Sequence, residues 1–423
     1  MTSADEPTRY ARAFEPKPLS RIFEIALEGG YISFASGDPN PAFTDTGWMA
    51  EEAARLLRQP GDPMLQYGSG AGQPSTREAI VELMADQRAD LAADAVQVFS
   101  GAQNALDVIT RLLVSPGDAV FVDEDTYPAM LNLLRAAGAH VIPVATDVEG
   151  LVPEALDAAL ARAGREGRAP RMLYTIPDFN NPRGTTLAED RRPRVVEACR
   201  AAGALIVEDA AYSQLAFDGR RRPSLWSYDP QAVFHLGSFS KILAPGLRVG
   251  WAVCPDAYRA LVQNAANSSV ISPNVLAQEL AARFVERGGW REAIRESARR
   301  YSRQFEAFAA ALRTHDDVGL HYVRPEGGFF CWLDLPGGAD AQRVLDRALE
   351  RKLVFLPGTM FRIDGATSSS VRAAFSFETE EHLDGAWRAS WAPCAPNWRA
   401  KTPQAAAERG LPGAAYWALR RAR

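Results

Sequence analysis

Ser238-Phe239-Ser240-Lys241 is followed, seven residues after the lysine, by Arg248 in the run Ala244-Pro245-Gly246-Leu247-Arg248-Val249-Gly250. A lysine amine condenses with an aldehyde to a Schiff base, while hydroxyls and a guanidinium fork hold a phosphate dianion. A lone lysine after a strand is usually solvated surface; its neighbours here reverse that judgement. Other apolar runs end in residues suited to the same chemistry. Ile206-Val207-Glu208-Asp209-Ala210-Ala211-Tyr212 closes with a carboxylate and, three residues on, a phenol, although an isolated strand-end Asp is more often a helix N-cap. Ile176-Pro177-Asp178-Phe179-Asn180-Asn181-Pro182-Arg183-Gly184-Thr185 offers an amide in what is, alone, a generic turn. Ser100-Gly101-Ala102-Gln103 opens a helix, so its N–H groups and helix dipole can cradle a phosphate. Asp125-Thr126-Tyr127-Pro128 supplies an aromatic ring for stacking, though an isolated tyrosine reads equally as packing.

These residues need a scaffold that brings strand ends together. Between about residues 46 and 285, apolar and β-branched runs alternate with helical patterns, which predicts a mostly parallel sheet with crossover helices. The expected strands are Ala95 to Phe99, Ala119 to Val122, His140 to Val144, Arg171 to Ile176, Ala204 to Val207, Val233 to Leu236 and Val249 to Val253. Gln103 to Leu113 and Ala129 to Ala137 read as helices, the second stopped by Gly138. In such open α/β sheets ligands sit beyond the carboxyl ends of the strands. A helical tract from Ser272 to Leu312, broken at Gly288-Gly289, leads to a smaller α+β unit: strand Gly328 to Leu335, helix Ala341 to Lys352, strands Leu353 to Leu356 and Ser370 to Phe377. The expected division is an N-terminal arm (1–45), a large ligand-binding domain (46–285), a small domain (286–385) and a Pro-, Ala- and Arg-rich tail (386–423).

Composition narrows the class. Hydrophobic residues make up 47% and charged residues 23% of the 423-residue chain, as in ordinary globular proteins. A net charge of −5 provides no basic field, so no nucleic-acid partner is expected. Met1 to Arg21 lacks the apolar run of a signal peptide or membrane span, so the expectation is no membrane and a cytoplasmic protein. Cys199, Cys254, Cys331 and Cys394 are widely spaced and read as reduced thiols; His140, His235, His315, His321 and His382 form no metal-ligand spacing, so no metal is expected.

The segment around Lys241 resembles the lysine motif of the pyridoxal 5'-phosphate (PLP)-dependent aminotransferases of fold type I, and the other segments fall in that family's order. The resemblance runs from about residue 18 to 385 and implies an aspartate-aminotransferase-like fold, with a seven-stranded large domain and a smaller α+β domain. It implies that Lys241 carries PLP as an internal aldimine, that Asp209 keeps the pyridine nitrogen protonated, and that Tyr212 and Asn181 bond the 3'-oxygen. Ser100, Gly101, Ala102, Gln103, Ser238, Ser240 and Arg248 match the phosphate cup, and Tyr127 the stacking ring. Leu65-Gln66-Tyr67-Gly68 is similar to the segment whose tyrosine reaches the neighbouring subunit's phosphate, which implies a homodimer with shared active sites. Ser370-Val371-Arg372-Ala373-Ala374-Phe375 aligns with the strand whose arginine binds the substrate α-carboxylate, and Gly37 in Ser36-Gly37-Asp38-Pro39 approaches the same group. Pro325-Glu326-Gly327-Gly328-Phe329 and Leu356-Pro357-Gly358-Thr359 look like two further family segments.

The resemblance is nearest to aminoadipate and aromatic or branched-chain aminotransferases, and implies transfer of the amino group of an α-amino acid to a keto acid. Regulators with a fused DNA-binding domain share these motifs, but fewer than fifty residues precede the α/β domain here, so a standalone enzyme is expected. Asn180 and Arg183 replace the Gln and Thr usual on either side of Asn-Pro. The turn is also similar to that of aminocyclopropane carboxylate synthases, which act on S-adenosylmethionine, so β- or γ-elimination or replacement through the same quinonoid, with such an adenosylated substrate included, stands as the alternative. A non-catalytic PLP-binding protein is a distant third. Arg183 could pair with a substrate carboxylate or phosphate, but it reads more readily as a solvated loop residue. Arg21 stands one residue away from where aminoadipate enzymes place an arginine for the distal carboxylate.

Overall fold

The computed structural model describes residues 7–14, 18–27, 30–313, 319–380 and 383. The expected tail, with Cys394, and residues His315 and His382 lie outside the described residues. All seven strands expected between Ala95 and Val253 are present and form one sheet. They are β2 (Val96–Phe99), β3 (Ala119–Asp123), β4 (His140–Val144), β7 (Pro170–Thr175), β8 (Leu205–Asp209), β9 (Val233–Ser238) and β10 (Gly250–Val253), in the order β2-β10-β9-β8-β7-β3-β4. A two-residue hairpin, β5 (Thr146–Asp147) with β6 (Gly150–Leu151), lies outside this sheet.

The pairs β3/β4, β3/β7, β7/β8 and β8/β9 are parallel, whereas β10 is antiparallel to both β9 and β2. Strands β2, β3 and β9 are buried at every residue, so both faces of the sheet are covered; this explains their mostly apolar runs, and the polar Gln97 and His235 within them are buried with hydrogen-bond partners. The helices Ala102–Leu113 and Pro128–Ala137 match their sequence patterns, and Gly138 caps the second in the left-handed region at φ 75°. Because β10 runs backwards, its first residue, Gly250, lies beside Ser238 at the end of β9 and Phe99 at the end of β2. The segments after β2, β3, β7, β8 and β9, and the segment before β10, therefore meet at one edge.

The long helical tract divides at Gly288-Gly289 into Val275–Glu286 and Trp290–Arg313. Beyond it, β11 (His321–Tyr322), β12 (Phe330–Asp334), β15 (Ser370–Ala374) and β14 (Leu356–Pro357) form an antiparallel four-stranded sheet in that order. The single strand expected over Leu353 to Leu356 is two strands. Leu353–Val354 (β13) pairs in parallel with Ile32–Ser33 (β1), while Leu356–Pro357 pairs with β15, so the chain changes sheets at Phe355. The backbone after β1 continues against the same unit: Ala374 N donates to Phe34 O at 2.8 Å, and Ser376 Oγ to Asp38 O at 2.7 Å. Among the described residues no helix is long and apolar enough to cross a membrane, and no group of three or more His, Cys, Asp or Glu is placed to hold a metal ion.

Candidate active site

Lys241 follows β9 in the Ser238–Lys241 turn, and its Nζ donates to Gly37 O at 2.8 Å. The amine lies 5.6 Å from the centroids of both Tyr212 and Phe329. Burial lowers its pKa to about 8; Asp38 and Asp209 oppose that change, whereas Arg372 and Arg248 reinforce it. An amine so adjusted is still mostly protonated at neutral pH, but it carries far more of the neutral form than an ordinary lysine does, the form that attacks an aldehyde or takes up a proton.

Asp209, the last residue of β8, is buried and accepts a hydrogen bond from Tyr174 Oη at 3.0 Å. Burial raises its pKa, and the Tyr174 hydroxyl, the Ala211 amide and the charges of Lys241 and His235 work against that rise. A basic, buried carboxylate favours a proton held between itself and a ring nitrogen. Tyr174 was not among the residues singled out in the sequence. It stands inside β7, where a strand tyrosine gives no local sign that its hydroxyl reaches a carboxylate on the next strand.

The anion-binding end is built from three elements. The helix Ala102–Leu113 begins at Gly101 (φ 85°, ψ 161°) with no side chain capping its first amides. The Arg248 guanidinium lies directly over that glycine: an added Cβ at Gly101 would fall 2.4 Å from Arg248 Nη2. Arg248, itself left-handed at φ 54°, donates to Ser240 Oγ at 3.3 Å, and the Ser240 amide donates to Ser238 Oγ at 3.1 Å. Uncapped helix amides, hydroxyls and a guanidinium around one space fit the phosphate of PLP.

Opposite them, Arg372 comes from the middle of β15. Its Nη1 donates to Asn181 Oδ1 at 2.9 Å, its Nη2 donates to Ala35 O, and its buried Nε has no partner. Burial lowers its pKa to about 10, which leaves it cationic at neutral pH. The guanidinium lies 4.4 Å from the Phe330 ring centroid and 5.2 Å from that of Phe361. Gly37 is held against this wall, since a Cβ there would fall 2.7 Å from the Phe330 ring. An unpartnered donor on a cationic, walled-in guanidinium suits a carboxylate.

Asn181 is fixed by its own turn, whose peptide bond to Pro182 is cis. Asn180 donates to Asp123 Oδ2 at 2.9 Å and accepts from the Arg183 amide at 3.1 Å, while Thr175 Oγ1 donates to Asp123 at 3.0 and 3.1 Å. Burial pushes the Asp123 carboxyl up to about 7, against these hydrogen bonds and the charge of Arg183. Neither Asp123 nor Asn180 was proposed as a site residue from sequence; the notable sign was the departure at position 180 itself.

The reading of Arg183 as a solvated loop residue is corrected. Its side chain is only 24% exposed and pairs at 2.6 Å with the buried Asp125, so the arginine is committed to a protein partner rather than to solvent alone. Arg21 is exposed and pairs with Glu24 on its own helix at 3.2 Å. Of the expected site residues, Lys241, Asp209, Tyr212, Arg372, Asn181 and Gly37 are thus linked by contacts or by their mutual fields, and Ser238, Ser240, Arg248 and Gly101 by contacts around the helix start. Tyr127 joins the first group through the fields it shares with Asp209 and Arg372. Tyr67 stands apart, 81% exposed.

Comparison with known proteins agrees with this geometry. Residues 30–389 match the family described as "Aminotransferase class I and II". The chain is 31% identical to "Aromatic-amino-acid aminotransferase 1" of Thermococcus litoralis over 88% of its own length and 92% of that protein's. It is 31% identical to the "2-aminoadipate transaminase" of Thermus thermophilus, over 88% and 94% respectively. A solved kynurenine aminotransferase of Pyrococcus horikoshii superposes with a TM-score of 0.87 at 28% identity, covering 93% of this chain and 98% of that one. The architecture is the aspartate-aminotransferase-like fold type I. With its motifs, its sheet and its relatives in agreement, the chain belongs to the class I and II aminotransferases, the PLP-dependent transferases of that fold.

Proposed function

We propose that the chain transfers the amino group of an α-amino acid to a keto acid, with Lys241 as both the point of PLP attachment and the proton-transfer group. The observation that carries this reading is the placement of the Lys241 amine and the Arg372 guanidinium on one short segment, Lys241 donating to Gly37 O at 2.8 Å and Arg372 to Ala35 O; the lowered pKa of the lysine agrees with it. When bound, PLP supplies an aldehyde for covalent linkage and an electron-withdrawing ring that accommodates the charge left at the substrate α-carbon. Arg372, with Asn181 and Gly37 beside it, would bind the α-carboxylate and so present the α-hydrogen to the Lys241 amine. Lys241 would take that proton and return it two atoms further along, beyond the amino nitrogen, at the carbon that was the aldehyde. Asp209 would hold the proton on the ring nitrogen, Tyr212 and Asn181 the 3'-oxygen, and Tyr127 would stack on the ring. The amides of Gly101, Ala102 and Gln103, with Ser100, Ser238, Ser240 and Arg248, would bind the phosphate.

The elimination or replacement alternative is not favoured, because relatives along nearly the whole chain are named aminotransferases. A homodimer completes the reading. Leu65 and Tyr67 are exposed, and Gly68 N donates at 3.2 Å to Ser272 Oγ, next to the exposed Val270 and Ile271. That apolar patch is what a second copy would cover, bringing Tyr67 to its neighbour's phosphate. The proposed division of the chain keeps 46–285 as the PLP-binding domain and 286–385, with part of the N-terminal arm, as the small domain.

The test is Lys241→Ala. Borohydride trapping of the purified holoenzyme is expected to label Lys241, and the variant is expected to lose both the visible Schiff-base absorbance and multiple turnover. An unchanged spectrum and rate would remove the proposal.

A further inference from the structure

One charged side chain at the mouth of the site has no part in the chemistry above. Asp38 follows Gly37, whose carbonyl accepts from Lys241, and lies three residues beyond Ala35, whose carbonyl accepts from Arg372. Residues 35–38 therefore run from the carboxylate anchor, past the lysine, to the exposed rim. Asp38 is held in place at both ends: its backbone carbonyl accepts from Ser376 Oγ at 2.7 Å, and its carboxylate accepts from Ser36 Oγ. The hydroxyl partner is neutral, and although Lys241 and Arg372 lie within its field, Asp38 makes no direct ion pair among the described residues.

We propose that Asp38 is a specificity-determining residue that favours amino acids whose side chain ends in a cationic group, a terminal amine or guanidine. The proposal rests on the transaminase reading and names its substrate class. With the α-carboxylate on Arg372 and the α-carbon at Lys241, the end of a substrate side chain leaves toward the rim, where Asp38 is the charged group of this segment. A distal ammonium gains a partner there; a distal carboxylate meets a like charge. Arg183, a cation that would attract an acidic side chain, is already committed to Asp125. Arg21, the other candidate for a distal carboxylate, bonds Glu24. The fields agree with the placement: after burial itself, Asp38 is the largest influence on the Lys241 amine, and it acts on Arg372 and Tyr212 as well.

The experiment compares L-ornithine with L-norleucine, which differ by an ammonium in place of a methyl, and with L-2-aminoadipate, using the holoenzyme and its Asp38→Asn and Asp38→Glu variants. In the unsubstituted enzyme kcat/KM for ornithine should exceed that for norleucine about threefold to fivefold, mostly through KM, as for a partly solvated charge pair. The ratio should fall to near one in Asp38→Asn, with aminoadipate gaining, and be largely kept in Asp38→Glu. Added salt should compress the ratio in the unsubstituted protein, a readout that requires no variant to fold. Spectral titration with α-methylornithine and α-methylnorleucine, which lack the α-hydrogen, should show the same preference in binding alone. Equal affinity for the two analogues, or an ornithine-to-norleucine ratio unchanged by Asp38→Asn, would overturn the proposal. Binding of the analogues without amino transfer from any of the three amino acids would instead overturn the transaminase reading and leave the Asp38 result standing.

Discussion

Tyr174 and Asp209 stand on adjacent parallel strands, and the tyrosine hydroxyl donates to the carboxylate at 3.0 Å with both side chains buried. Tyr174→Phe removes the hydrogen bond that most strongly opposes the upward shift of Asp209, so that carboxyl should become still more basic. A buried hydrogen bond to a charged group contributes about 1.5 kcal/mol or more; without it the shared proton should move from the ring nitrogen onto the carboxylate, the ring should withdraw electrons less well, and kcat should fall about tenfold. The pH profile of the visible absorbance should move with it, whereas a purely structural hydroxyl would lower stability and leave that profile unchanged.

Arg372→Lys keeps the charge and loses the fork. The Asn181 and Ala35 acceptors would lose donors, and a carboxylate could be met at only one point. The kcat/KM for amino acids should fall about a hundredfold or more, in line with the roughly 2–5 kcal/mol for truncating a buried charged partner. The corresponding amines, which have no carboxylate, should be used equally poorly by both proteins. A variant with unchanged KM for amino acids would show that the anchor lies elsewhere.

Gly101→Ala introduces a methyl group 2.4 Å from the Arg248 guanidinium, at a backbone angle (φ 85°, ψ 161°) that only glycine adopts readily. Displacing Arg248 should weaken PLP retention about tenfold or more while the folded protein survives. Equilibrium dialysis of PLP, with Arg248→Ala in parallel, would check this; the double variant should lose little more than either single one, because both act on the same contact.

Asp123 gives a pH signature independent of catalysis. Its carboxyl titrates near 7 in the folded protein and near 3.8 when unfolded, so between those values the native state binds the extra proton. Stability from this group is therefore full below about pH 4 and is lost as pH rises through 7. Asp123→Asn mimics the protonated form and should stabilise the protein at pH 8 by on the order of 1–3 kcal/mol, with little gain at pH 4 to 5. Urea denaturation at the two pH values would measure the difference, and equal effects at both would contradict the shift.

How far the sequence reads this molecule depends on distance along the chain. Every strand of the large sheet was visible because burial on both faces demands a continuous apolar run, a local property. The Gly288-Gly289 break and the Gly138 stop were visible for the same reason. Tyr174, Asp123 and the Asp125–Arg183 pair were not, since each acquires its meaning from a partner on another strand or loop. Strand β1 has only two residues and no pattern of its own; it exists because Leu353–Val354 lies beside it. Phe355 looked like the interior of one strand because apolarity does not record which sheet a residue serves.

That pairing of Ile32–Ser33 with Leu353–Val354 also imposes an order on biosynthesis. Ile32–Ser33 waits for a partner strand far later in the chain, and Ala35 to Asp38 take their places only once Ser370–Ala374 and Ser376 have emerged. Such long-range closure is slow and comes late. A nascent chain halted before the sheet that carries Arg372 could assemble the large sheet but would lack the proposed carboxylate anchor, so competence to bind an amino acid should arrive only after that later sheet has been made.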